Sequence, residues 1–378
     1  MARFEQELYI HIPFCLRKCR YCDFLSFPDA IGELGERYFD CLRKEIAAGG
    51  SAAPVRSIFF GGGTPGLASP GQLESVLEEI SRHYDILPGC EITIETNPGA
   101  VCGDEGKMQA FRQMGFNRLS IGVQSLDDAV LKEMGRVHNA EQAREAFGFA
   151  RKAGFDNVNL DLILGWPGQS VESYIATLRQ ILEMAPEHIS AYSLIVEPGT
   201  QLEKDIAAGR AEEPDDGADR AMYHATLDML AAAGYERYEL SNFARPGRKS
   251  AHNTGYWIHV PYRGFGLGAA SFDGRNRYRN TAVMGEYLRG VTRDERETEE
   301  LGQDQLRDEY MMLGFRLAEG PDPDRFSELY GGEIMTFYGE KLERLDARGL
   351  TEPSHGGRSR RLSRKGLDLG NEVFGEFV

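Results

Sequence analysis

Three cysteines fall within eight residues, in the run Tyr9-Ile-His-Ile-Pro-Phe-Cys15-Leu-Arg-Lys-Cys19-Arg-Tyr21-Cys22-Asp23-Phe24. Thiolates this close together, directly after a short apolar run with strand character, can converge on one soft metal centre. A zinc site is normally closed by a fourth Cys or His at regular spacing, and a disulfide framework uses an even, distributed set. Neither pattern is present. Cys-x3-Cys-x2-Cys suits a [4Fe–4S] cubane in which three irons take one cysteine each, leaving the fourth to a small molecule that binds through its own nitrogen and oxygen. Cys41, Cys90 and Cys102 lie in unrelated segments and read as small, partly buried hydrophobes.

The elements that must position these thiols follow from periodicity. From residue 7 to about residue 198, apolar β-rich runs at 8–12, 55–60, 91–95, 118–123, 158–164 and 189–196 alternate with helix-length amphipathic segments at 36–48, 70–84, 104–114, 140–153 and 171–184. Several of the helical segments open on Ser, Asp or Asn and are followed by Gly. Six such units in series imply parallel strands joined by helical crossovers, in an open, partial (β/α)6 barrel. Chemistry in barrels of this kind collects at the carboxyl ends of the strands, where the cysteines stand after strand one. Polar or side-chain-free positions recur at that end of the following strands: Gly61-Gly62-Gly63-Thr64-Pro65, then Glu95, Gln124 and Asp161. Such a set suits a cofactor-lined funnel. Arg136, in Met134-Gly-Arg136-Val-His138, either pairs bidentately with a carboxylate or stands as a surface cation before the next helix.

Composition narrows the field. The chain of 378 residues is 41% hydrophobic and 27% charged, ordinary values for a folded protein, and its length suggests one large domain with a smaller one attached. Forty-three basic against fifty-nine acidic residues give a net charge of −16, which repels polyphosphate and argues against nucleic acid as a partner. The first residues lack an apolar signal core, no stretch reaches membrane-spanning length, and clustered thiols fit a reducing compartment; a cytoplasmic protein is expected. Beyond the barrel, an acidic connection at 205–219 leads to an amphipathic helix at 220–233 and then to His252-Asn253-Thr254-Gly255-Tyr256-Trp257. These six residues supply either an iron ligand with flat apolar faces or an aromatic packing cluster around a hydrogen-bonded histidine. In Gly264-Phe-Gly266-Leu-Gly268 the backbone can approach a ligand, although the spacing is not that of a dinucleotide fingerprint. Helices at 304–317, 324–329 and 339–348, followed by a hairpin and a last helix, have the order of a small α+β winged-helix-like domain. The expected organisation is therefore a barrel at 1–240, a barrel-associated segment at 241–300 and a carboxyl-terminal domain at 301–378.

The three-cysteine spacing resembles that of the radical S-adenosylmethionine (radical SAM) superfamily, in which SAM chelates the open iron and is reductively cleaved to a 5′-deoxyadenosyl radical. Carried across residue by residue, the resemblance implies cluster ligands at Cys15, Cys19 and Cys22 and SAM contacts at Tyr9, Tyr21, Gly62, Gly63, Thr64, Glu95, Gln124, Arg136 and Asp161. The combination YIHIPFC, YCDF, GGGTP, NRLSIGVQS, SNFA and HNTGYW resembles, over nearly the whole chain, the heme chaperones of the HemW type. These are a sister group of the oxygen-independent coproporphyrinogen III dehydrogenases. Two features depart from the dehydrogenase: only eight residues precede Tyr9, where that enzyme has a long extension, and Phe24 stands where it typically has a further Cys. The resemblance implies heme as cargo, His252 as the best candidate for its axial ligand, and apo-hemoproteins such as respiratory cytochromes as clients. It also implies an electron donor such as flavodoxin or ferredoxin, peripheral membrane association and a cluster-dependent dimer. The alternative it leaves is oxidative decarboxylation of coproporphyrinogen III to protoporphyrinogen IX. Replacing Cys15, Cys19 or Cys22 with Ala is expected to abolish binding of four irons by anaerobically reconstituted protein, whereas the Ala variants of Cys41, Cys90 and Cys102 keep them; iron and sulfide assays on the six variants decide it.

Overall fold

The computed structural model describes residues 5–28 and 32–378. Strands β1 (Gln6–Ile12), β2 (Ser51–Gly62), β3 (Tyr84–Thr96), β4 (Arg118–Gln124), β5 (Val158–Leu164) and β6 (His188–Ser193) lie side by side in chain order, all parallel. The crossovers are helices α1 (Glu33–Ala48), α2 (Pro70–His83), α3 (Glu105–Gln113), α4 (Ala140–Lys152) and α5 (Val171–Met184). This is the partial (β/α)6 barrel. Local chemistry starts the helices where the barrel needs them. Ser69 before α2 and Asn139 before α4 each accept a hydrogen bond from the backbone N–H three residues on, and Gln72 and Gln142 reach back to the cap.

Each strand separates two environments. Leu8, Ile10 and Ile12 of β1 join Leu42 and Ile46 of α1 in the main core, while Glu7, Tyr9 and His11 alternate to the other face and line the barrel interior. That interior is polar and internally bonded. Asn159 Nδ2 donates to Ser120 Oγ (2.8 Å) and Asp161 Oδ1 (2.7 Å), and Asn159 Oδ1 lies 2.6 Å from His188 Nδ1. His188 Nε2 is in turn 2.8 Å from the Tyr238 hydroxyl.

The sheet continues past the six strands, which the sequence reading did not anticipate. On one edge β7 (Glu236–Arg237) and β8 (Asn242–Ala244) add antiparallel to β6; on the other β9 (Tyr262–Phe265) joins β1 in parallel. From β9, the strands β10 (Ala270–Phe272), β11 (Asn276–Asn280) and β12 (Arg293–Glu300) meander outward, giving twelve strands in one sheet. Close packing accounts for one of the segment's glycines: at Gly266, φ +100°, a Cβ would stand 2.5 Å from the Tyr38 hydroxyl.

The base of the barrel is closed by helix α6 (Ala251–Trp257), built from the HNTGYW run. Glu91 of β3 accepts hydrogen bonds from Ser250 Oγ and from the backbone N–H of Ala251 and His252, so a carboxylate fixes this helix by its amino end. A second core, including Tyr310, Phe315, Phe326, Ile334, Leu342 and Phe377, holds together α7 (Gln303–Gly314), α8 (Pro323–Tyr330), α9 (Ile334–Ala347) and the hairpin of β13 (Thr351–Ser354) with β14 (Ser359–Leu362). Three helices followed by a hairpin make the winged-helix-like order. Its basic run is spent on neighbouring acids: Arg358 pairs with Asp324, Arg360 with Asp346, Arg361 with Glu352 and Arg364 with Asp228. Among the described residues no helix is long and apolar enough to cross a membrane.

Gly255 is the tightest point of the closure, since a Cβ there would overlap the Glu7 carboxylate. Alanine improves helix propensity by about 1 kcal/mol, but overpacking against a buried side chain costs roughly 1–3 kcal/mol. Gly255→Ala is therefore expected to lower the thermal midpoint; an unchanged or higher midpoint would show that this closure is loose.

Candidate functional site

At the carboxyl ends of the strands a cavity of about 450 Å3 opens, and Cys15, Cys19 and Cys22 all line it. The loop that carries them is tied down on both sides. Arg20 donates to Asp205 (Nη2, 2.8 Å) and to the Glu133 carbonyl (Nη1, 3.0 Å), and its own backbone bonds to Met134 and Leu202. On the β2 side, Gly63 N donates to Ile12 O (2.9 Å) and Thr64 N to Phe14 O (2.8 Å). A side chain at Gly62, φ +112°, would strike the His11 ring, so the glycine run lets β2 close against the cysteine loop.

Arg136 is half-buried at the centre of this arrangement. Its Nη2 donates to Asn97 Oδ1 and to the Gly122 carbonyl, both at 2.6 Å, and its Nη1 stands 3.3 Å from Cys19 Sγ and 3.5 Å from the Tyr21 hydroxyl. It is therefore neither a surface cation nor a side chain waiting with its whole fork unspent for a carboxylate. It joins the cysteine loop to β3 and β4 while leaving Nε unpaired.

The other expected residues separate into layers. Tyr21, Gly62, Gly63, Glu95, Gln124 and Asp161 line the same cavity as the cysteines. Thr64 sits in an adjoining recess, accepting from Asn97 Nδ2 (2.8 Å) and 3.6 Å from Cys15 Sγ. Gln124 holds φ +66°, a left-handed backbone at the strand end of the kind that clusters at ligand sites. Tyr9 lies one layer lower, in an inner cavity of about 170 Å3 that shares Glu95 and Asp161 with the upper one.

His252 forms part of the floor of that inner cavity and is 1% exposed. Its Nδ1 is 2.8 Å from Ser57 Oγ and its Nε2 is 2.9 Å from the Tyr256 hydroxyl. Burial, with the positive charge of Arg118 next, pushes its pKa down to about 3. Both ring nitrogens are thus committed inside the closure. The inner cavity beside it, of about 170 Å3, is also lined by Tyr256 and Asn253 of the same helix.

Three further groups were missed. Asn97 orients Arg136 and Thr64; its place two residues after Glu95 and before Pro98 was the available signal. Arg118, 1% exposed, reaches the inner cavity, with the Glu91 carboxylate 4.0 Å away and its charge also acting on Glu95 and Asp161. An arginine opening a buried strand marked it. Tyr192, at the end of β6, lines both cavities and had no distinguishing signal.

Burial acts on the titratable groups of this cavity. Burial, followed by a backbone hydrogen bond that opposes it and by the neighbouring Cys19 and Cys15, sets the Cys22 thiol at about 11. Metal ligation needs the thiolate, so loading this site releases protons. Among the described residues no three Cys, His, Asp or Glu side chains close around one ion. Three cysteines lining one cavity without converging on a point fit a cluster, in which each sulfur holds a different iron. Burial first, then Asp161, raises Glu95 to about 8, and burial also raises Asp161.

The fold and this site define a radical SAM protein: residues 9–181 match the model of the radical SAM superfamily. Two relatives named heme chaperone HemW match almost end to end, that of Bacillus subtilis (35% identical, 99% of each chain) and that of Lactococcus lactis (34%, 100% of this chain and 98% of the relative). The Escherichia coli protein of the same name is 36% identical over 92% of each chain. The chain belongs to the HemW family within the radical SAM superfamily. With superfamily membership come a [4Fe–4S] cluster and S-adenosylmethionine as cofactors. The solved coproporphyrinogen III oxidase HemN of Escherichia coli shares the fold, with a TM-score of 0.83 at 22% identity over 100% of this chain and 91% of that one.

Two outcomes follow from the geometry. Arg136→Ala removes two hydrogen bonds of a half-buried charge, each worth about 1.5–3 kcal/mol, and frees the cysteine loop. Iron retention after anaerobic reconstitution and SAM affinity by calorimetry should both fall, and Lys at this position should not restore them because it lacks the fork. Wild-type values in the Ala variant would contradict that role. For Glu95 the folded pKa lies above its unfolded value, near about 4.3, so its neutral form stabilises the metal-free fold at low pH and that contribution is lost as pH rises towards about 8. The thermal midpoint of metal-free protein should fall over that window, and fall less in Glu95→Gln; identical pH profiles would contradict the assignment.

Proposed function

We propose that this protein is a heme chaperone that binds heme and delivers it to apo-hemoproteins such as respiratory cytochromes, working from the cytoplasm. The observation that carries the reading is the end-to-end match, at 34–35% identity, to relatives named for that activity. Phe24 supports it from within the chain. This side chain is 64% exposed beside the cysteine loop, at the position where the coproporphyrinogen dehydrogenase pattern has another cysteine.

In this reading Cys15, Cys19 and Cys22 would hold a [4Fe–4S] cluster, with S-adenosylmethionine in the same cavity. When bound, that pair of cofactors would supply one-electron reductive chemistry. The chain's own residues do the rest. Gly62 and Gly63 let backbone approach the cofactor's amino acid end, while Gln124 and Tyr21 line the pocket. Glu95, whose carboxyl is pushed up to about 8 by burial and then by Asp161, can donate as well as accept a hydrogen bond, and Asp161 lies beside it on the same cavity wall. Arg136 keeps the cysteine loop in register with β4 and offsets thiolate charge. A flavodoxin or ferredoxin as electron source, association with a membrane surface and a cluster-dependent dimer complete the proposal.

The test sets the two tetrapyrrole activities side by side. Anaerobically loaded protein is titrated with heme by difference absorbance and, separately, incubated with coproporphyrinogen III, SAM and reductant. Saturable heme binding without protoporphyrinogen IX is the expected result. Conversion of coproporphyrinogen would overturn the chaperone reading in favour of the dehydrogenase.

A further inference from the structure

The inner cavity of about 170 Å3 encloses a charge that no described residue satisfies. Arg118, the first residue of β4, is 1% exposed, and its side chain lines this chamber. Its Nε has no hydrogen-bond partner, and among the described residues no group accepts from Nη1 or Nη2. A guanidinium taken out of water without hydrogen bonds is strongly disfavoured, so its open side has to be met by whatever fills the chamber.

The titratable groups around it leave that role open. Glu91, 4.0 Å from Nε, already accepts from Ser250 Oγ and from the backbone N–H of Ala251 and His252 at the start of α6. Asp161 accepts from Asn159 Nδ2 at 2.7 Å and from Ser120 Oγ at 3.2 Å. Burial and then Asp161 raise the Glu95 carboxyl to about 8, so it is mostly uncharged at neutral pH. His188 and His252 are each bonded through both ring nitrogens, and burial holds both neutral.

A second donor faces the same space. Asn253 of α6 lines the chamber, and its side-chain amide makes no hydrogen bond with the described residues; only its backbone N–H is used, on Ser250 Oγ. A guanidinium fork matches the two oxygens of a carboxylate, and a nearby amide adds a third donor. The chamber lies below the roughly 300–1,000 Å3 of pockets for drug-sized ligands, which limits the occupant to a few heavy atoms. It shares Glu95, Asp161 and Tyr192 with the cluster cavity, so the way in runs from the mouth of the barrel.

We propose that this chamber is a binding site for a small carboxylate-type anion, of the size of formate, acetate or bicarbonate, with the Arg118 guanidinium as its principal partner and the Asn253 amide as its second. The site is distinct from the cysteine loop and does not depend on the chaperone reading. Arg118 lowers the pKa of both Glu95 and Asp161, and an anion seated on it offsets that influence. Occupancy of the chamber therefore bears on the two acids that also line the cluster cavity.

The experiment titrates the full chain with isotope-labelled formate at constant ionic strength, following the broadening of its NMR line, on wild type, Arg118→Gln, Asn253→Ala and, as an exposed control on the outer helices, Arg179→Gln. Wild type and Arg179→Gln should bind formate saturably, with displacement by acetate and none by benzoate, which is too large for the chamber. Arg118→Gln should bind roughly tenfold or more weakly, and Asn253→Ala severalfold more weakly. Formate binding of wild-type strength in Arg118→Gln would place the anion on surface cations and overturn the site. Absence of saturable binding by wild type would mean that the chamber holds water alone, and would overturn it as well. Should Arg118→Gln fail to fold, unchanged affinity in Asn253→Ala or displacement of formate by benzoate would do the same.

Discussion

Three thiols that are to share a cluster must be held at one end of a barrel by something other than the cluster, and in this chain the Arg136 guanidinium makes the tie. It spans Asn97 at the end of β3, the Gly122 carbonyl in β4 and the sulfur of Cys19. The glycines of the second βα loop exist to let β2 meet that same loop, and Arg20 anchors it from the other side through Asp205 and Glu133. Loop, strand ends and cation are thereby held together at one end of the barrel by the chain's own hydrogen bonds.

A polar barrel interior sets a second requirement, because buried polar groups must find partners. Here the interior is satisfied in two ways. Asn159, Ser120, Asp161, His188 and Tyr238 bond to one another across β4, β5 and β6, and the amino ends of the strands are capped by the helix that carries His252 and Gly255. The HNTGYW run therefore has two faces with different work. His252 and Gly255 face inward and close the barrel. Tyr256 and Trp257 line a second cavity shared with the carboxyl-terminal domain.

Much of this was legible in the sequence. The spacing of Cys15, Cys19 and Cys22 marked them as a set, and all three line one cavity; the alternation of apolar runs located the six parallel strands, although the second and third extend well beyond the expected 55–60 and 91–95, to Ser51–Gly62 and Tyr84–Thr96, because their polar amino-terminal halves carry no apolar signal. The extra strands were not readable. β8, β9 and β10 are three or four residues long, too short for alternation to emerge, and Gly264 and Gly266 looked like ligand-approach glycines when they serve sheet packing. The direction of His252 was also invisible, since its partners Ser57 and Tyr256 lie on a strand nearly two hundred residues away and one helical turn along. Arg136 was recognised as important for a pairing it makes with amides and a sulfur, not with a free carboxylate.

The central claim is that the cysteine loop and barrel mouth form one site, with a cluster iron left for S-adenosylmethionine. The most direct measurement is the electron paramagnetic resonance spectrum of the reduced, anaerobically reconstituted protein before and after addition of SAM. Direct coordination at the open iron changes the cluster's g-values on addition, and methionine labelled at its amino nitrogen produces a resolved coupling to the cluster. A reduced [4Fe–4S] signal that is indifferent to SAM and shows no coupling to the labelled nitrogen would contradict the account.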